Sequence, residues 1–415
     1  MALRKEPPPT SLRRLLVARR SEARQLLILG LLICLAVNQL RIGLDGWGKF
    51  ALVHPGYADV GNYYLYARVG LHQGWNHLYD LAAQRREWLM MGGSDVIPWF
   101  PMIYPPPLAW LAVPLTLLPL PAAYAAWFAL SLGMILLTWT LVCRSLARLT
   151  RWSFLAGMLA VFAVPFALIL GNVVILELTA IAVAWWLLGR NRELAAGLVL
   201  TALVFKPQLA VLLPIVLLLV GRRRTVAVWL LACALIAAIA TASTGLDGLH
   251  AYGVRILGAA ANRPEFLVPP QLTLGALLGR GAGLIAADAL LLGLTLIGAY
   301  RHRRQGLAVP FACALAGSMA LAPYLHFEDL ATLLLAGAIA SLAALDGARR
   351  ALLLAGYLLL LAISYWESGA IGALLGGLLL ALESGWLVSS ALTPVSGGAL
   401  RELTPLGAIP LDRSA

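Results

Sequence analysis

Apolar runs long enough to cross a membrane recur along almost the whole chain, each closed by a short polar segment. A bilayer core of roughly 30 Å takes about 20 helical residues at about 1.5 Å each. The runs at 25–44, 122–143, 152–170, 173–188, 226–243, 284–300, 307–322, 330–345, 351–365 and 371–388 reach or approach that length. Two segments break the pattern. Residues 108–120 carry Pro114 and Pro119, with Pro121 just beyond, so that run is short and predicted to be re-entrant. Residues 193–221 hold two short apolar runs that meet at Lys206-Pro207. Proline stops a helix there, so a hairpin turning within the membrane is predicted rather than one long span. With both hairpin arms counted, the pattern gives an all-α polytopic membrane protein of about 12 transmembrane helices, or about 13 if residues 108–120 cross fully.

The longest polar interval, residues 45–104, forms a first outer loop under this layout. Within it residues 59–73 are predicted to make a short helix lying on the membrane surface, with Tyr63, Tyr64 and Tyr66 as interfacial aromatics. A second short helix is predicted over residues 78–91.

Composition adds the solvent. At 61% hydrophobic and 12% charged residues, with a mean hydropathy of +0.85, a chain of 415 residues has more apolar surface than a water-soluble fold can hide. The net charge of +12 is not laid out as a basic stripe interleaved with aromatics, which argues against a nucleic-acid partner. It falls instead in small clusters between apolar runs. If the leader, 144–151, 190–192, 222–224, 301–304, 349–350 and the tail share one side, that side holds 22 of the 31 basic residues. The other side keeps Arg41, Lys49, Arg68, Arg85, Arg86, Arg255, Arg263 and Arg280, and Lys206 lies within the membrane. The positive-inside bias then predicts cytoplasmic termini in a multi-pass inner (plasma) membrane protein. Residues 1–24 read as a basic leader, 25–390 as the membrane domain, and 391–415 as a flexible tail. The leader has no small-residue cleavage site ahead of the first span, so an uncleaved anchor is expected. Cys34, Cys143, Cys233 and Cys313 stand singly, with no paired metal or redox spacing, and read as buried hydrophobes.

The layout gathers the unusual polar residues on the outer face: Asp59, Gly171-Asn172, the loop at 245–271, and Pro323-Tyr-Leu-His326-Phe-Glu-Asp329. Asp59 starts a helix, where it could serve as an N-cap or as a general base taking the proton of a hydroxyl. His326, beside Glu328 and Asp329, could pair with a phosphate, relay a proton or orient Asp59. Of Glu328 and Asp329, one could simply cap the following helix. Lys206, one of three lysines against many arginines, needs a partner at membrane depth. An anionic lipid phosphate or Glu177 could supply it, or the lysine could snorkel to the interface. Arg68 could hold a phosphate bidentately or meet headgroups. Glu177, Asp288 and Glu383 fall in or near spans and carry no catalytic assignment. With no Asp-x-Asp and no histidine pair at helical metal spacing, no metal is expected.

Taken in order, these segments resemble glycosyltransferase family 87, polyprenyl-phosphate-sugar-dependent enzymes of the GT-C superfamily, of which actinobacterial phosphatidylinositol-mannoside mannosyltransferases are examples. The likeness runs over most of residues 26–345. It rests on Asp59 with Tyr63 or Tyr64 and Ala67, Gly74 with Leu78-Tyr79-Asp80, Tyr104-Pro-Pro-Pro107, Gly171-Asn172, Lys206-Pro207, and Ala322-Pro323 followed by His326. The family pattern has glutamine where Asn172 stands and an Asn-x-Ser-like stretch where Gln271-Leu-Thr273 stands.

The resemblance implies a GT-C-type fold and transfer of a mannose-like hexose from a polyprenyl-phosphate donor to a lipid or glycan hydroxyl, with inversion, in cell-envelope assembly. It implies Asp59 and His326 as catalytic residues. Lys206, Arg68, Tyr63, Tyr104, Asn172 and Asp329 would bind the substrate or its phosphate, without a resident cofactor. Partners would be membrane lipids, the lipid-linked donor and the acceptor. A transporter or flippase of lipid-linked sugars and a non-catalytic polyprenyl-lipid-binding protein are the alternatives from other classes.

Overall fold

The computed structural model describes residues 10–48, 58–94, 99–260, 273–279, 281–365 and 369–392. Residues 1–9 of the leader, Lys49, Arg263, Gln271, Arg280 and the tail beyond Leu392 lie outside the described residues. The described chain is helical throughout, with no strand among these residues.

Helix α1 (Thr10–Gly48) begins inside the basic leader and contains the first predicted span; it packs on α6 (Arg148–Ala160) and α7 (Ala163–Leu170). Among the described residues, five stretches are long and apolar enough to cross a membrane: Ser21–Gly46 of α1, α5 (Leu120–Cys143), Arg223–Arg255 of α11 (Arg223–Ala260), α13 (Ala282–His302), and Leu374–Leu392 of α17 (Gly369–Leu392). Helices α6 and α7 meet at a 64° bend and make a sixth if they form one broken crossing. The other predicted spans are shorter helices: α8 (Val174–Leu188), α14 (Ala308–Ala320), α15 (Ala331–Ala340) and α16 (Gly347–Ile363). Gly245, with φ 73°, breaks α11 close to where its predicted span ends.

The proline-broken segment is a hairpin. Helix α9 (Glu193–Val199) runs into a 3-10 turn at Leu200–Val204, a second follows at Pro207–Leu209, and α10 (Leu213–Leu219) returns. Arg222 then reaches back to Glu193 at 3.0 Å and to Asn191 Oδ1 at 3.2 Å. Both ends of the hairpin therefore meet at one surface, with Lys206 at the far tip.

Small side chains let the helices close on one another where lipid gives no hydrophobic drive for association. A Cβ at Gly317 of α14 would fall 2.2 Å from Thr295 Oγ1 of α13, so only glycine allows that approach. Around this seam α5, α7, α8, α10, α14, α15 and α17 share one large apolar core, in which Cys143 and Cys313 are buried. Cys34 departs from the expected burial, since it faces outward from α1.

A second, smaller core forms over the first outer loop. It joins α2 (Asp59–His72), α3 (Leu81–Met90) and α4 (Pro106–Ala112) to Tyr124, Trp127 and Val173. Here the sequence expectation of a surface-lying helix is corrected. Tyr63, Tyr64 and Tyr66 are all buried, because the segment from Trp99 to Leu118 folds over α2. Phe100 N–H donates to Asn62 Oδ1 at 3.1 Å, and the Tyr64 and Tyr66 hydroxyls donate to the carbonyls of Leu118 and Phe100 at 3.0 and 2.7 Å. The helix is a strut under a lid. Residues 108–120 match their prediction of a short, broken run: α4 decays into a 3-10 turn at Val113–Leu117 before α5 begins.

Candidate active site

The two cores meet along one polar seam, and four separate segments deliver polar or charged side chains to it. The first is the break between α7 and α8. Gly171 adopts φ 67°, and a Cβ there would sit 2.9 Å from Val60 Cβ and 3.0 Å from Trp127 Cδ1, so glycine is needed on both counts. Trp127 Nε1–H donates to Gly171 O at 2.8 Å, and the Tyr124 hydroxyl to Ile169 O at 2.7 Å, pinning the turn to α5. Asn172 is thereby fixed. Its Oδ1 accepts from Val174 N–H at 2.9 Å, which orients the amide and leaves Nδ2 facing the seam. That Nδ2 donates to Asp59 Oδ2 at 2.5 Å and to Glu328 Oε1 at 3.0 Å. One amide thus bridges two carboxylates that are 269 positions apart along the sequence.

Asp59 itself opens α2, but not as an N-cap. Ala58 holds that position in extended geometry, and Asn62 turns back onto its carbonyl at 3.0 Å. The Asp59 carboxyl is consequently free to reach across to Asn172. From the hairpin tip, Lys206 sends its ammonium to Asp329 Oδ1 at 2.7 Å and stands 3.6 Å from Glu328 Oε1. Its backbone N–H donates to Glu177 Oε1 of α8. The fourth segment, between α14 and α15, is a 3-10 turn at Phe327–Leu330 closed by a capping box: His326 N–H donates to Asp329 Oδ2 at 2.9 Å. His326 Nδ1 stands 3.4 Å from Glu328 Oε1.

Burial sorts these groups into a floor and a rim. Asn172, Glu177, Lys206, Glu328 and Asp329 are all buried, whereas Asp59 is partly accessible and the His326 side chain is 25% exposed. Tyr104 stands on the same rim, its ring edge-on to buried Tyr63 at 5.6 Å. The seam holds four carboxyl groups against one lysine and one histidine, so its charge is not balanced internally. Burial raises the Asp59 carboxyl from its ordinary 3.8 to about 6, and the negative Glu328 pushes the same way against Lys206, Asn172 and His326. Burial acts on Glu328 as well, but Lys206 and His326 outweigh it and bring that carboxyl down to about 2. For His326 burial is likewise opposed, here by Glu328 and Asp329, which lift it above its ordinary 6.5. A base poised near neutrality thus stands next to a carboxylate that stays ionised. Among the described residues no three His, Cys, Asp or Glu side chains converge as a metal site.

A sequence model of glycosyltransferase family 87 matches residues 102–325, more than half of the chain. The chain belongs to glycosyltransferase family 87. No curated protein and no solved structure matches it. The family match encloses Tyr104, Asn172, Glu177 and Lys206; Asp59 and the residues from His326 to Asp329 flank it.

In this membrane glycosyltransferase the seam brings together seven of the eight residues singled out from sequence: Asp59, His326, Lys206, Tyr63, Tyr104, Asn172 and Asp329. Arg68 is not among them. It lies nine residues along α2 from Asp59, about 13 Å by helical rise, and its Nε pairs with Glu87 at 3.2 Å. The partner of the Lys206 ammonium is Asp329, while Glu177 takes the backbone instead. Sequence reasoning offered Glu177 only as a possible partner of Lys206 and Glu328 only as a possible cap, and gave neither a place in the site, yet both belong to the seam. Asp329 does two jobs at once, capping its own turn and neutralising Lys206. The available signal was three ionisable side chains packed into one polar break between apolar runs.

Proposed function

We propose that this glycosyltransferase moves a single mannose-like hexose from a polyprenyl-phosphate donor to a hydroxyl of a lipid or glycan at the outer face of the plasma membrane. Asp59 takes the proton of the acceptor hydroxyl, whose oxygen attacks the anomeric carbon from the side opposite the phosphate. The bond from that carbon to the phosphate oxygen breaks, the electron pair leaves with the phosphate, and the configuration inverts. His326 is the accessible cation and faces the leaving phosphate. Lys206 works from the floor, neutralising Asp329 and Glu328 so that the seam tolerates an anionic donor. Tyr63, Tyr104 and Asn172 complete the walls around the reacting groups. No resident cofactor takes part; membrane lipids, the lipid-linked donor and the acceptor are the partners. The 22-to-8 division of basic residues supports cytoplasmic termini and about twelve crossings, with the shorter helices counted as partial spans or as spans where the bilayer thins.

The observation that carries this reading is Asp59: accessible at the rim, raised to about 6, and tied through Asn172 to a carboxylate that stays charged. The test supplies the purified protein with candidate polyprenyl-phosphate sugars and a lipid extract, and follows the glycosylated product. Asp59→Asn keeps the size and the Asn172 contact but cannot take the proton. Its turnover is expected to fall by about 10²–10⁴, with thermal stability and donor binding close to native. Normal transfer by that variant would overturn the assignment.

A further inference from the structure

The hairpin tip that carries Lys206 is fastened by a residue to which the reaction above gives no part. Lys206 stands where the chain leaves the helix (φ −137°, ψ 69°), between the 3-10 turns at Leu200–Val204 and Pro207–Leu209. Its N–H is thereby freed from the helical ladder, and Pro207 beside it has no N–H at all. Glu177 answers that N–H. Its Oε1 accepts from Lys206 N across 29 positions of sequence, while its Oε2 is buried without a hydrogen-bond partner. Glu177 lies on α8 five residues after Asn172. One helix start therefore holds both the amide that bridges Asp59 to Glu328 and the contact that pins the lysine facing them. The returning arm of the hairpin is fastened separately, where Leu212 N–H donates to Ser318 Oγ of α14 at 3.0 Å.

A lysine ammonium ends a flexible four-carbon stem, so its place depends on where its backbone is held. Held as it is, the Lys206 ammonium lies 2.7 Å from Asp329 Oδ1 and 3.6 Å from Glu328 Oε1. Around Asp59 stand Glu328 and His326 from the 3-10 turn, Lys206 from the hairpin, Asn172 from the start of α8, and Tyr63 and Tyr104. Of these Lys206 favours the ionised form of Asp59, against burial and Glu328. We propose that Glu177 is a positioning residue for this site: by latching the backbone of the tip it sets the place of the Lys206 ammonium, and through that charge it tunes Asp59. The latch works by reach, not by the charge of Glu177 itself. Its effect on Asp59 rests on that residue being the base, as proposed above. Ser318 holds the same hairpin without touching the tip, and so marks what plain structural support would look like.

Two mild substitutions separate reach from charge. Glu177→Asp keeps the carboxyl but is one methylene shorter and falls short of the Lys206 N–H. Glu177→Gln keeps the length and an acceptor oxygen but carries no charge. Both full-length variants, with Ser318→Ala as the control, are compared with the native protein in lipid nanodiscs. Amide hydrogen exchange of the tip peptide, thermal stability and the pH dependence of sugar transfer are read on the same preparations. Glu177→Asp is expected to speed exchange at the tip about tenfold, the worth of about one hydrogen bond. It should also move the acid limb of transfer to higher pH by about half a unit to one unit, because a displaced ammonium no longer favours the ionised carboxyl. Glu177→Gln should keep the native protection at the tip and leave the limb in place. Ser318→Ala, which leaves the Leu212 N–H unpaired, should lower the thermal midpoint without moving the limb. Native exchange at the tip in Glu177→Asp would overturn the proposal. So would a limb moved by Glu177→Gln but not by Glu177→Asp, or one moved equally by Ser318→Ala. A native profile with no acid limb would contradict Asp59 as the base instead, and the exchange measurement would still decide whether Glu177 latches the tip.

Discussion

Two buried carboxylate clusters stand at opposite ends of α2, and they follow opposite plans. At the C-terminal end, Glu87 is wholly buried and fully engaged. Its Oε2 takes Arg68 Nε at 3.2 Å and His72 Nδ1 at 3.1 Å, and its Oε1 accepts from Gln73 at 3.0 Å. Every partner comes from the same loop, and the charge is matched on the spot. At the N-terminal end Asp59 belongs to a seam assembled from four distant segments, with more carboxyl groups than cations and its two most accessible members, Asp59 and His326, turned outward. A balanced local cluster holds the loop together. The unbalanced one, assembled at the junction of the two cores, is where we propose that a proton moves. Containing a buried acid and a basic residue distinguishes neither cluster; accessibility and leftover charge do.

The largest effect expected from breaking this contrast is at the floor of the seam. Lys206→Met strips the only lysine from two buried carboxylates, and uncompensated buried charge typically costs about 3–5 kcal/mol. Denaturation midpoints should show a severe loss of stability before any specific loss of donor affinity. A stable variant with donor affinity reduced tenfold or more would instead make Lys206 a direct phosphate ligand. Next comes Glu87→Gln, which removes the charge-assisted bonds to Arg68 and His72. It should lower stability by about 1.5–3 kcal/mol while the folded fraction keeps its transfer rate. A hundredfold fall in turnover in a stable Glu87→Gln protein would erase the distinction between the two clusters.

These contrasts also show what was legible in the sequence. Hydrophobic length found α5, α13, α17 and the start of α11 within a few residues, and Lys206-Pro207 gave the hairpin, because proline and apolar runs act locally; α11 runs on well past its predicted end at 243. Asp59 was located as the start of α2 for the same reason. The interfacial reading of Tyr63, Tyr64 and Tyr66 failed because adjacent tyrosines point around the whole helix. What covers them is a segment beginning 33 residues beyond Tyr66, which no local pattern reveals. The partners of Lys206 were hidden in the same way. Asp329 lies 123 positions further along, so the lysine's need for a counter-charge was readable but its source was not. For Arg68 the sequence left a phosphate or lipid headgroups as alternatives, and neither named Glu87, which lies 19 positions further along and pairs with it.

The smallest of the expected changes concerns the coupling across Asn172. Glu328 is one of the groups that raise Asp59, so Glu328→Gln should move the acid limb of the transfer reaction to lower pH, by up to about one unit. An unmoved limb would separate Glu328 from the base. Since Glu328 also helps hold His326 protonated, the maximal rate of this variant should fall as well.

The most direct measurement is the pH dependence of sugar transfer in the native protein. Asp59 must lose its proton to act, and its carboxyl is raised to about 6, so it is mostly protonated below that pH and mostly ionised above it. The logarithm of turnover should therefore rise with a slope of about one as pH climbs toward 6 and level off beyond it, and the residual activity of Asp59→Asn should lack that limb. A native profile that stays flat from pH 5 to 7, or an acid limb retained unchanged in Asp59→Asn, would contradict Asp59 as the base.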